Sequence, residues 1–362
     1  MTGGERIKPP TMKDVAALAG VHPATASRAL SGARTVSPEL VRAVQRAARK
    51  LNYRVNPIGR ALKQGATGTV GVVVPEIENP FFPALVRAVE GAAHREGLGL
   101  FLCDADNSAQ IEAERVDELL RRQVDGLIIS PVHALRSAEA VRAAAERVPV
   151  VQVDRMVDAP TDMVGVNQHG MIEAVVDHLR SAGRVRFAFI TSGEANSPVT
   201  ERLAGYRRVF AEDPGALDRI QVGDLTLEWG AKAAGALLAG PEPLPDALVC
   251  ANDLIAIGAM QTLRRAGVRV PEDVAIAGID DTPFARVAEP LLTTVAQPVG
   301  QIGDEAVRML LTRRREPHLA PRRLVLTGRL VPRDSTPAPA PDAARIRDQV
   351  PGQIRGSPEG PR

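Results

Sequence analysis

Cationic side chains are concentrated at the start of this chain. Residues 1–64 hold twelve Lys and Arg but only three Asp and Glu, a net charge of +9, whereas the whole chain of 362 residues carries +2. The remaining residues therefore carry about −7. Lysine and arginine neutralise phosphates, so this distribution predicts a nucleic-acid-binding module joined to a neutral or acidic body.

A second group of polar residues stands at the ends of apolar runs that are typical of strands. These residues are Asp154-Arg155, Asn252-Asp253 and Asp280-Asp281. Carboxylates, amides and guanidinium groups together offer hydrogen-bond acceptors and donors, which suits a polyhydroxylated small molecule. For Asp253 and Asp281 a local role is the alternative, because aspartate at such a position often caps a helix.

The sequence lacks the motifs that usually support catalysis on an α/β scaffold. It has no G-x-x-x-x-G-K-[ST], no G-x-G-x-x-G after a strand and no G-x-S-x-G. Its six histidines show no metal-ligand spacing, and Cys103 and Cys250 end apolar runs, where buried thiols are expected. We therefore expect no enzymatic activity, no metal ion and no cofactor.

Three short helices are predicted to position the basic residues. Thr11 with Asp14 can cap a first helix that stops at Gly20, Pro23 suits the first position of a second, and Ser37 can cap a third. The tight turn predicts a helix-turn-helix, with a generic three-helix bundle as the alternative. The expected core residues are Val15, Ala16, Leu18, Ala19, Ala26, Ala29, Leu30, Leu40, Val41, Val44, Ala47, Ala48 and Leu51.

Apolar runs alternate with helical stretches through the rest of the chain. The runs are 69–75, 98–104, 125–131, 148–154, 186–191, 246–252 and 273–280, and helices are predicted at 82–96 and 108–122, among others. Strands that alternate with helices indicate parallel, doubly wound sheets. A segment of roughly 266 residues exceeds one comfortable hydrophobic core, so two lobes are expected.

Three segments carry a resemblance to a known family. DVAALAGVHPATASRALSG, VSPELVRAVQRAARKLNYRVN and NPIGRALKQG resemble the headpiece and hinge of the lactose/galactose repressor (LacI/GalR) family, and the match continues to VPRDS at 331–335. The resemblance implies a homodimeric repressor that binds a palindromic operator. It also implies a two-lobe, periplasmic-binding-protein-like α/β body behind the all-α headpiece, with a small effector, a sugar, held between the lobes.

The same resemblance divides the chain. Residues 1–55 are expected to form the headpiece with an N-terminal arm, 56–68 the hinge helix and linker, and 69–334 the body for effector binding and dimerisation. Residues 335–362 are rich in proline and glycine, which predicts a disordered tail.

The resemblance also assigns DNA contacts. His22, Pro23 and Ala24 fall at the start of the helix that enters the major groove, and Arg28 could hold a guanine through two hydrogen bonds. Thr25 can meet a thymine methyl or a phosphate. The further residues assigned to DNA, chiefly to its phosphates, are Thr11, Lys13, Ser27, Ser37, Tyr53, Asn56, Arg60 and Lys63.

The hinge at 56–63 is too short to be a stable free helix. In the family this segment folds on DNA, and Leu62 falls where a leucine wedges into the minor groove. An ordinary linker leucine is the alternative. Gly59 departs from the usual alanine and makes helix formation less favourable.

In the body, Arg202 lies in ERLAGYRR, where the family places its cleft arginine. The candidate effector contacts are Phe81, Phe82, Asp154, Arg155, Arg202, Leu225, Asn252 and Asp280. Core packing is the alternative for the two phenylalanines. Leu225 replaces a frequent aromatic residue, Trp229 could face the cleft or pack, and Asn167 stands where an acidic residue is common.

No secretory signal peptide or run of eighteen apolar residues is present, so we expect a soluble cytoplasmic protein that does not contact a membrane. The alternative function is that of a solute-binding protein without gene regulation. An inducer and a corepressor would use the same cleft, so the sign of the response stays open.

Overall fold

The structure is a computed structural model that describes residues 10–30, 36–53, 66–193 and 196–338. Two compact units divide the chain, residues 1–68 and residues 69–362. Within the described ranges, no helix combines the length and the apolar character that a membrane span needs.

The first unit contains three helices, α1 (Met12–Ala19), α2 (Pro23–Leu30) and α3 (Pro38–Lys50). Thr11 and Asp14 form the predicted capping box on α1, Gly20 ends it with φ at 67°, and Ser37 caps α3. These local signals act within one turn of helix, which explains why the sequence predicted the helix ends correctly.

The core of the first unit is narrower than the sequence predicted. Its buried residues are Val15, Ala16, Ala26, Ala29, Val44, Ala47 and Ala48. Leu18 and Leu40, which we expected inside, are 46% and 39% exposed. Helices of eight residues bury only one stripe, and small side chains fill most of it here.

The second unit contains two six-stranded sheets. Sheet 1 is entirely parallel, with the order β11-β5-β4-β3-β1-β2. Its strands are β1 (Thr69–Val74), β2 (Gly99–Asp104), β3 (Leu127–Ile129), β4 (Val150–Val153), β5 (Asp162–Val166) and β11 (Arg323–Leu326). The predicted doubly wound α/β body is confirmed by this arrangement.

Sheet 2 has the order β12-β10-β9-β8-β6-β7 and is parallel except for β12. Its strands are β6 (Phe187–Ser192), β7 (Ile220–Gly223), β8 (Ala247–Cys250), β9 (Ala275–Asp280), β10 (Thr293–Ala296) and β12 (Arg329–Val331). Each sheet with its helices forms one lobe, which we call lobe 1 and lobe 2.

Helices cover both sheets. They are α4 (Phe81–Arg95), α5 (Ala109–Arg121), α6 (Ala138–Ala145), α7 (Gln168–Ser181), α8 (Ser197–Val209), α9 (Pro214–Asp218), α10 (Leu227–Ala239), α11 (Asp253–Arg265) and α12 (Val299–Arg315), with a 3₁₀ turn at Pro283–Arg286. In β1, Val72 packs into the cluster that includes Leu85 of α4, whereas Val73 packs into the cluster that includes Val116 of α5. Alternate residues of a strand therefore reach helices on opposite faces of sheet 1.

The chain crosses between the lobes three times. It leaves lobe 1 after β5, at Asn167, and returns after β10, at Gln297-Pro298, because α12 packs against β4 and β5. It crosses again between β11 and β12, at residues 327–328. The strands at these crossings are neighbours, because β5 pairs with β11 and β10 pairs with β12.

An ion-pair network connects α12 and the segment before β11 to β5. The fully buried Asp162 accepts hydrogen bonds from Arg313 of α12 at 3.1 and 3.0 Å and from the backbone N–H of Arg322 at 2.8 Å. Burial alone would raise the pKa of Asp162, but these bonds outweigh it and hold that pKa below its ordinary value.

Ser335 and Thr336, near the end of the described residues, are part of lobe 2. Ser335 and Thr336 are buried, Ser335 Oγ donates to the Ile276 carbonyl at 2.6 Å, and Thr293 N donates to Ser335 Oγ at 2.8 Å. The disorder that we predicted from residue 335 onward therefore does not hold for these two residues. Residues 339–362 lie outside the described residues.

Gly258→Ala should strongly destabilise lobe 2. Helices α10 and α11 approach so closely that a Cβ at Gly258 would lie 1.9 Å from the Leu227 carbonyl oxygen. That obstacle is backbone, so one helix must shift, and we expect a loss of about 2–3 kcal/mol in the free energy of unfolding. Urea denaturation measures this change.

Gly235→Ala, also on α10, is the matched control. A Cβ there meets nothing within 4 Å, so we expect a gain of about 0.5–1 kcal/mol from higher helix propensity. Equal stability of the two variants would contradict the close packing of α10 on α11.

Candidate functional site

The turn between α1 and α2 presents the residues predicted to read DNA bases. His22, Ala24 and Arg28 are exposed, whereas Pro23 and Thr25 are half-buried. His22 Nδ1 accepts a hydrogen bond from Ala24 N at 3.3 Å, so the imidazole holds the start of α2. Arg28 Nε donates to the Ala24 carbonyl at 3.3 Å, which brings the guanidinium back toward that same end.

Cations dominate the described surface of the first unit. The exposed basic residues are Lys13, Arg28, Arg42, Arg46, Arg49 and Lys50, against the acidic Asp14 and Glu39. Thr11 and Ser37 are exposed at helix starts, Ser27 is half-buried, and Tyr53 packs against the core. The hinge residues Asn56, Arg60, Leu62 and Lys63 lie outside the described residues. The surface suits phosphates.

In the second unit, a narrow cavity that opens to solvent lies between the two lobes. All eight candidate effector residues line it, namely Phe81, Phe82, Asp154, Arg155, Arg202, Leu225, Asn252 and Asp280. Five residues that the sequence did not single out complete the wall, namely Asn79, Asn196, Pro198, Val199 and Gln297. The cavity lies beyond the carboxyl ends of β4, β8, β9 and β10, as expected for an α/β ligand site.

Three asparagines place helix N-termini around the cavity. Asn79 Oδ1 accepts from Phe81 N at 3.1 Å at the start of α4, Asn196 Oδ1 from Val199 N at 3.2 Å in α8, and Asn252 Oδ1 from Ile255 N at 2.9 Å in α11. Because each oxygen is bound to a backbone N–H, the Nδ2 groups are oriented as donors. Asn252 Nδ2 donates to the Leu225 carbonyl at 3.2 Å.

Arg202 is held by hydrogen bonds to two other segments of lobe 2. Its Nε donates to Gln168 Oε1 at 2.8 Å, and its Nη1 donates to the Ala251 carbonyl. Its Nη2 lies 3.9 Å from Asp280 Oδ1. The guanidinium is therefore fixed in orientation, with Nη2 as its remaining group beside the cavity.

Asp280 is buried, and its backbone has a positive φ of 123° at the end of β9. Burial raises the pKa of Asp280 to about 7, although Arg202 lowers it and Asp253 raises it further. Gln297 Nε2 donates to Asp280 Oδ1 at 2.7 Å. Burial therefore favours the neutral form of Asp280.

Asp253 has a structural environment. It accepts from Thr282 N at 2.7 Å and from Thr294 Oγ1 at 2.6 Å, and burial raises its pKa to about 6. Asp281 accepts from Arg286 at 2.7 Å and also pairs with Arg333. Neither aspartate lines the cavity, and neither is the helix cap that we considered as the alternative, because Asn252 and Thr282 occupy the N-cap positions.

Arg155 and Asp154 form the opposite wall. Arg155 Nε lies 4.0 Å from Asp154 Oδ2, and its guanidinium carbon lies 5.3 Å from the centre of the Phe82 ring. Burial raises the pKa of Asp154 and lowers that of Arg155, and their mutual attraction opposes both shifts. Phe81 and Phe82 both line the cavity and belong to the core of the unit, so the two interpretations given for them are compatible.

Trp229, which could face the cavity or pack, and Asn167, where an acidic residue is common, both lie outside the cavity wall, whereas Leu225 is part of it. Trp229 packs against Gly223 and donates from Nε1 to the Thr191 carbonyl at 3.0 Å, outside the cavity wall. Asn167 also lies outside that wall, where its Oδ1 accepts from Gly170 N at 3.0 Å and caps α7.

Comparisons with known proteins agree with both units. Residues 11–56 match the family described as bacterial regulatory proteins, lacI family, and residues 176–336 match the periplasmic binding protein-like domain. The ribose operon repressor of Escherichia coli (strain K12) is 33% identical over 328 residues, which cover 90% of this chain and 99% of that protein.

The chain belongs to the lacI family of bacterial regulatory proteins.

Solved structures of lacI-family proteins share its fold. A Lac repressor dimer bound to operator and the anti-inducer ONPF matches with a TM-score of 0.82 at 27% identity, covering 91% of this chain and all of that one. A complex of the transcriptional regulator CelR with cellobiose matches with a TM-score of 0.67 at 32% identity, covering 90% and 99%. The resemblance stated from the sequence is thus confirmed.

One edge of sheet 1 departs from the prediction for this lacI-family chain. Strand β2 was expected to be buried, but Phe101 and Leu102 are 41% and 46% exposed, and Cys103 is only half-buried. Cys250 is fully buried, as predicted. An apolar edge strand that is exposed in a single chain is typical of a surface that another chain covers.

Three wall residues that we did not identify from the sequence lie next to the end of a strand or the start of a helix. Asn79 and Asn196 each stand one or two residues before the first residue of a helix, as N-caps do, and Gln297 directly follows β10. Position at a strand end or at a helix start would have identified them in this lacI-family fold.

Proposed function

We propose that this protein is a homodimeric transcriptional repressor that binds a palindromic operator and responds to a sugar held between its lobes. The main support is the presence on one chain of a capped, cationic helix-turn-helix and a two-lobe body with a polar cavity. A solute-binding protein does not need a helix-turn-helix.

The DNA-facing part of the proposal rests on α2. Its start carries the small residues Pro23 and Ala24, which let the backbone approach the bases closely, and Arg28 from the last turn reaches back to the Ala24 carbonyl. The exposed cations of α1 and α3 then supply phosphate contacts on either side. Binding through such contacts releases counterions and weakens steeply with salt.

The switch would use the two lobes. Residues of lobe 1, such as Asp154, and of lobe 2, such as Arg202, line the same cavity. The lobes also touch beside it, where Met156 N donates to Ser197 Oγ at 2.9 Å and Arg323 lies 3.8 Å from Glu201. An effector that bridges both walls binds one lobe arrangement better than another, and it shifts the population by that difference in affinity.

Dimerisation places two headpieces on two half-sites. The exposed Phe101 and Leu102 on β2 suit such an interface, and the Lac repressor is a dimer in its operator complex. A regulator of this kind acts in the cytoplasm, where the bacterial chromosome lies. It binds DNA and effector without catalysing a reaction, and it needs no metal ion or cofactor apart from the effector.

Arg28→Ala and Lys13→Ala should affect operator binding in different ways. Loss of a bidentate contact to guanine should relax discrimination at one base pair per half-site by about 1–3 kcal/mol. Loss of the exposed Lys13 should weaken binding about equally on all sequences. Electrophoretic mobility shifts on a series of substituted operators, at several salt concentrations, separate the two effects.

Glu39→Gln, an exposed change on the same unit, serves as control and should leave base preference unchanged. The proposal fails if the full-length chain shows no salt-dependent preference for any palindromic site in a random-sequence selection. In that case the solute-binding alternative becomes the better account of the body.

A further inference from the structure

Two buried glutamines stand where the chain crosses between the lobes. Gln168 is the first residue of α7 and follows the crossing at Asn167, whereas Gln297 lies at the crossing between β10 and α12. Their exposed fractions are 2% and 7%. A change in the angle between the lobes acts on the backbone at such positions, because the chain passes there from one lobe to the other.

Each glutamine binds one member of a charged pair in the cavity wall. Gln168 Oε1 accepts a hydrogen bond from Arg202 Nε at 2.8 Å, and Gln297 Nε2 donates to Asp280 Oδ1 at 2.7 Å. The two charged groups face each other, with 3.9 Å between Arg202 Nη2 and Asp280 Oδ1. A continuous series of contacts therefore joins the two crossings through the cavity wall.

Half of each amide group is buried without a hydrogen bond. Among the described residues, Gln168 Nε2 and Gln297 Oε1 have no partner. Buried polar atoms in folded proteins nearly always have one, and an unmet hydrogen bond is unfavourable. A displacement that brings either atom to a partner is therefore favourable, so both side chains can respond to movement of the segments around them.

The third crossing packs against the first two. Asn167 N donates to the carbonyl of Leu326, the last residue of β11, at 2.9 Å. A Cβ at Gly328 would lie 2.8 Å from Met171 Sδ of α7 and 2.9 Å from Val295 Cγ1 of β10, so the backbone there lies directly against both neighbours. A shift of α7 or β10 therefore reaches the third crossing as well, because close-packed segments do not move independently.

We propose that Gln168 and Gln297 couple the effector cavity to the crossings, so that a ligand on the charged pair changes the angle between the lobes. The proposal rests on the proposed function and specifies how its site is regulated. Gln168 lies outside the cavity wall and acts through Arg202, which makes it a positioning residue. A ligand that draws Arg202 or Asp280 toward itself alters the bond to the corresponding glutamine and thereby favours one lobe arrangement over another.

Hydrogen exchange of the ligand-free, full-length chain tests this coupling without a known effector. Gln168→Met keeps the length of the side chain but removes the bond to Arg202. Because a hydrogen bond to a charged group is lost, amide exchange in peptides covering residues 166–170 and 326–329 should become about tenfold faster. Arg202→Met breaks the same bond from the cavity side and should accelerate both peptides by a similar factor. The double variant should be no faster than the faster single variant, because all three lack the same bond.

Two variants separate this coupling from a merely structural role of Gln168. Gln168→Glu keeps an acceptor for Arg202 Nε and should exchange at nearly the rate of the wild type. Gln301→Met makes the same substitution as Gln168→Met at an exposed position of α12 and should leave both peptides unchanged. Acceleration by Gln168→Met that Arg202→Met does not reproduce would show a local packing role and overturn the proposal.

Operator titrations measure the coupling in function. D-ribose and cellobiose serve as probes, each at saturation, in mobility shifts on the operator selected from random sequences. In Gln168→Met and in Gln297→Met, the ratio of operator affinities with and without the probe should move toward one by about tenfold. A wild-type ratio in both variants would overturn the proposal and leave the effector site intact. If operator binding by the wild type responds to neither probe, the proposed sugar response is contradicted, whereas the exchange rates still decide the coupling.

Discussion

Arg202→Ala should abolish the effector response while leaving operator binding by the ligand-free protein near that of the wild type. The substitution removes the buried guanidinium that lies beside Asp280. Loss of a hydrogen bond between a charged group and the effector costs about 1.5–3 kcal/mol, which is about 10-fold to 100-fold in effector affinity. Titration of effector against operator-bound protein measures both quantities.

Arg202→Lys tests whether the geometry of the guanidinium is needed in addition to its charge. It keeps the charge but cannot reproduce the simultaneous bonds to Gln168 and the Ala251 carbonyl, so we expect most of the response to be lost. Arg208→Ala on the same helix removes only an exposed ion pair with Glu173 and should change neither quantity. A normal response in both Arg202 variants would place the effector elsewhere.

Removal of residues 1–68 should eliminate operator binding. The deletion removes one of the two compact units. That unit contains Lys13 and Arg28, the exposed cations that we assign to DNA. Specific affinity typically exceeds non-specific affinity by about 10³-fold or more, so a loss of at least that size is expected in a filter-binding or mobility-shift assay.

The truncated protein should nevertheless keep its fold and its ligand. Both sheets and the entire cavity wall lie in residues 69–338. We expect the same thermal shift with effector as for the full-length chain. Residual operator binding by the truncated protein would contradict the assignment of DNA recognition to the headpiece.

The candidate cavity was more predictable than the packing of the headpiece. Asp154 directly follows β4, Asn252 lies two residues after β8, and Asp280 is the last residue of β9. Parallel strands bring their carboxyl ends to one edge, so local position sufficed. Whether Leu18 faces inward depends on how three short helices pack together, which their periodicity does not specify.

The order of the strands in each sheet also could not be predicted from the sequence. The run that became β2 is as apolar as its neighbours, yet the strand order places it at an edge, with Phe101 exposed. Likewise, Trp229 turns away from the cavity because Gly223, on the neighbouring β7, leaves room for its ring. Both outcomes depend on residues distant in sequence or on backbone approach, and composition cannot reveal them.

The position of β11 affects the order in which the body can assemble during synthesis. Lobe 1 takes five of its strands from residues 69–166, but its edge next to β5 is closed only by Arg323–Leu326. A growing chain therefore exposes an unfinished sheet edge until nearly all of it has left the ribosome, and lobe 2 is synthesised in the meantime. Nascent chains stopped before residue 323 should accordingly be more sensitive to protease, and more prone to associate, than chains released a few residues after 338.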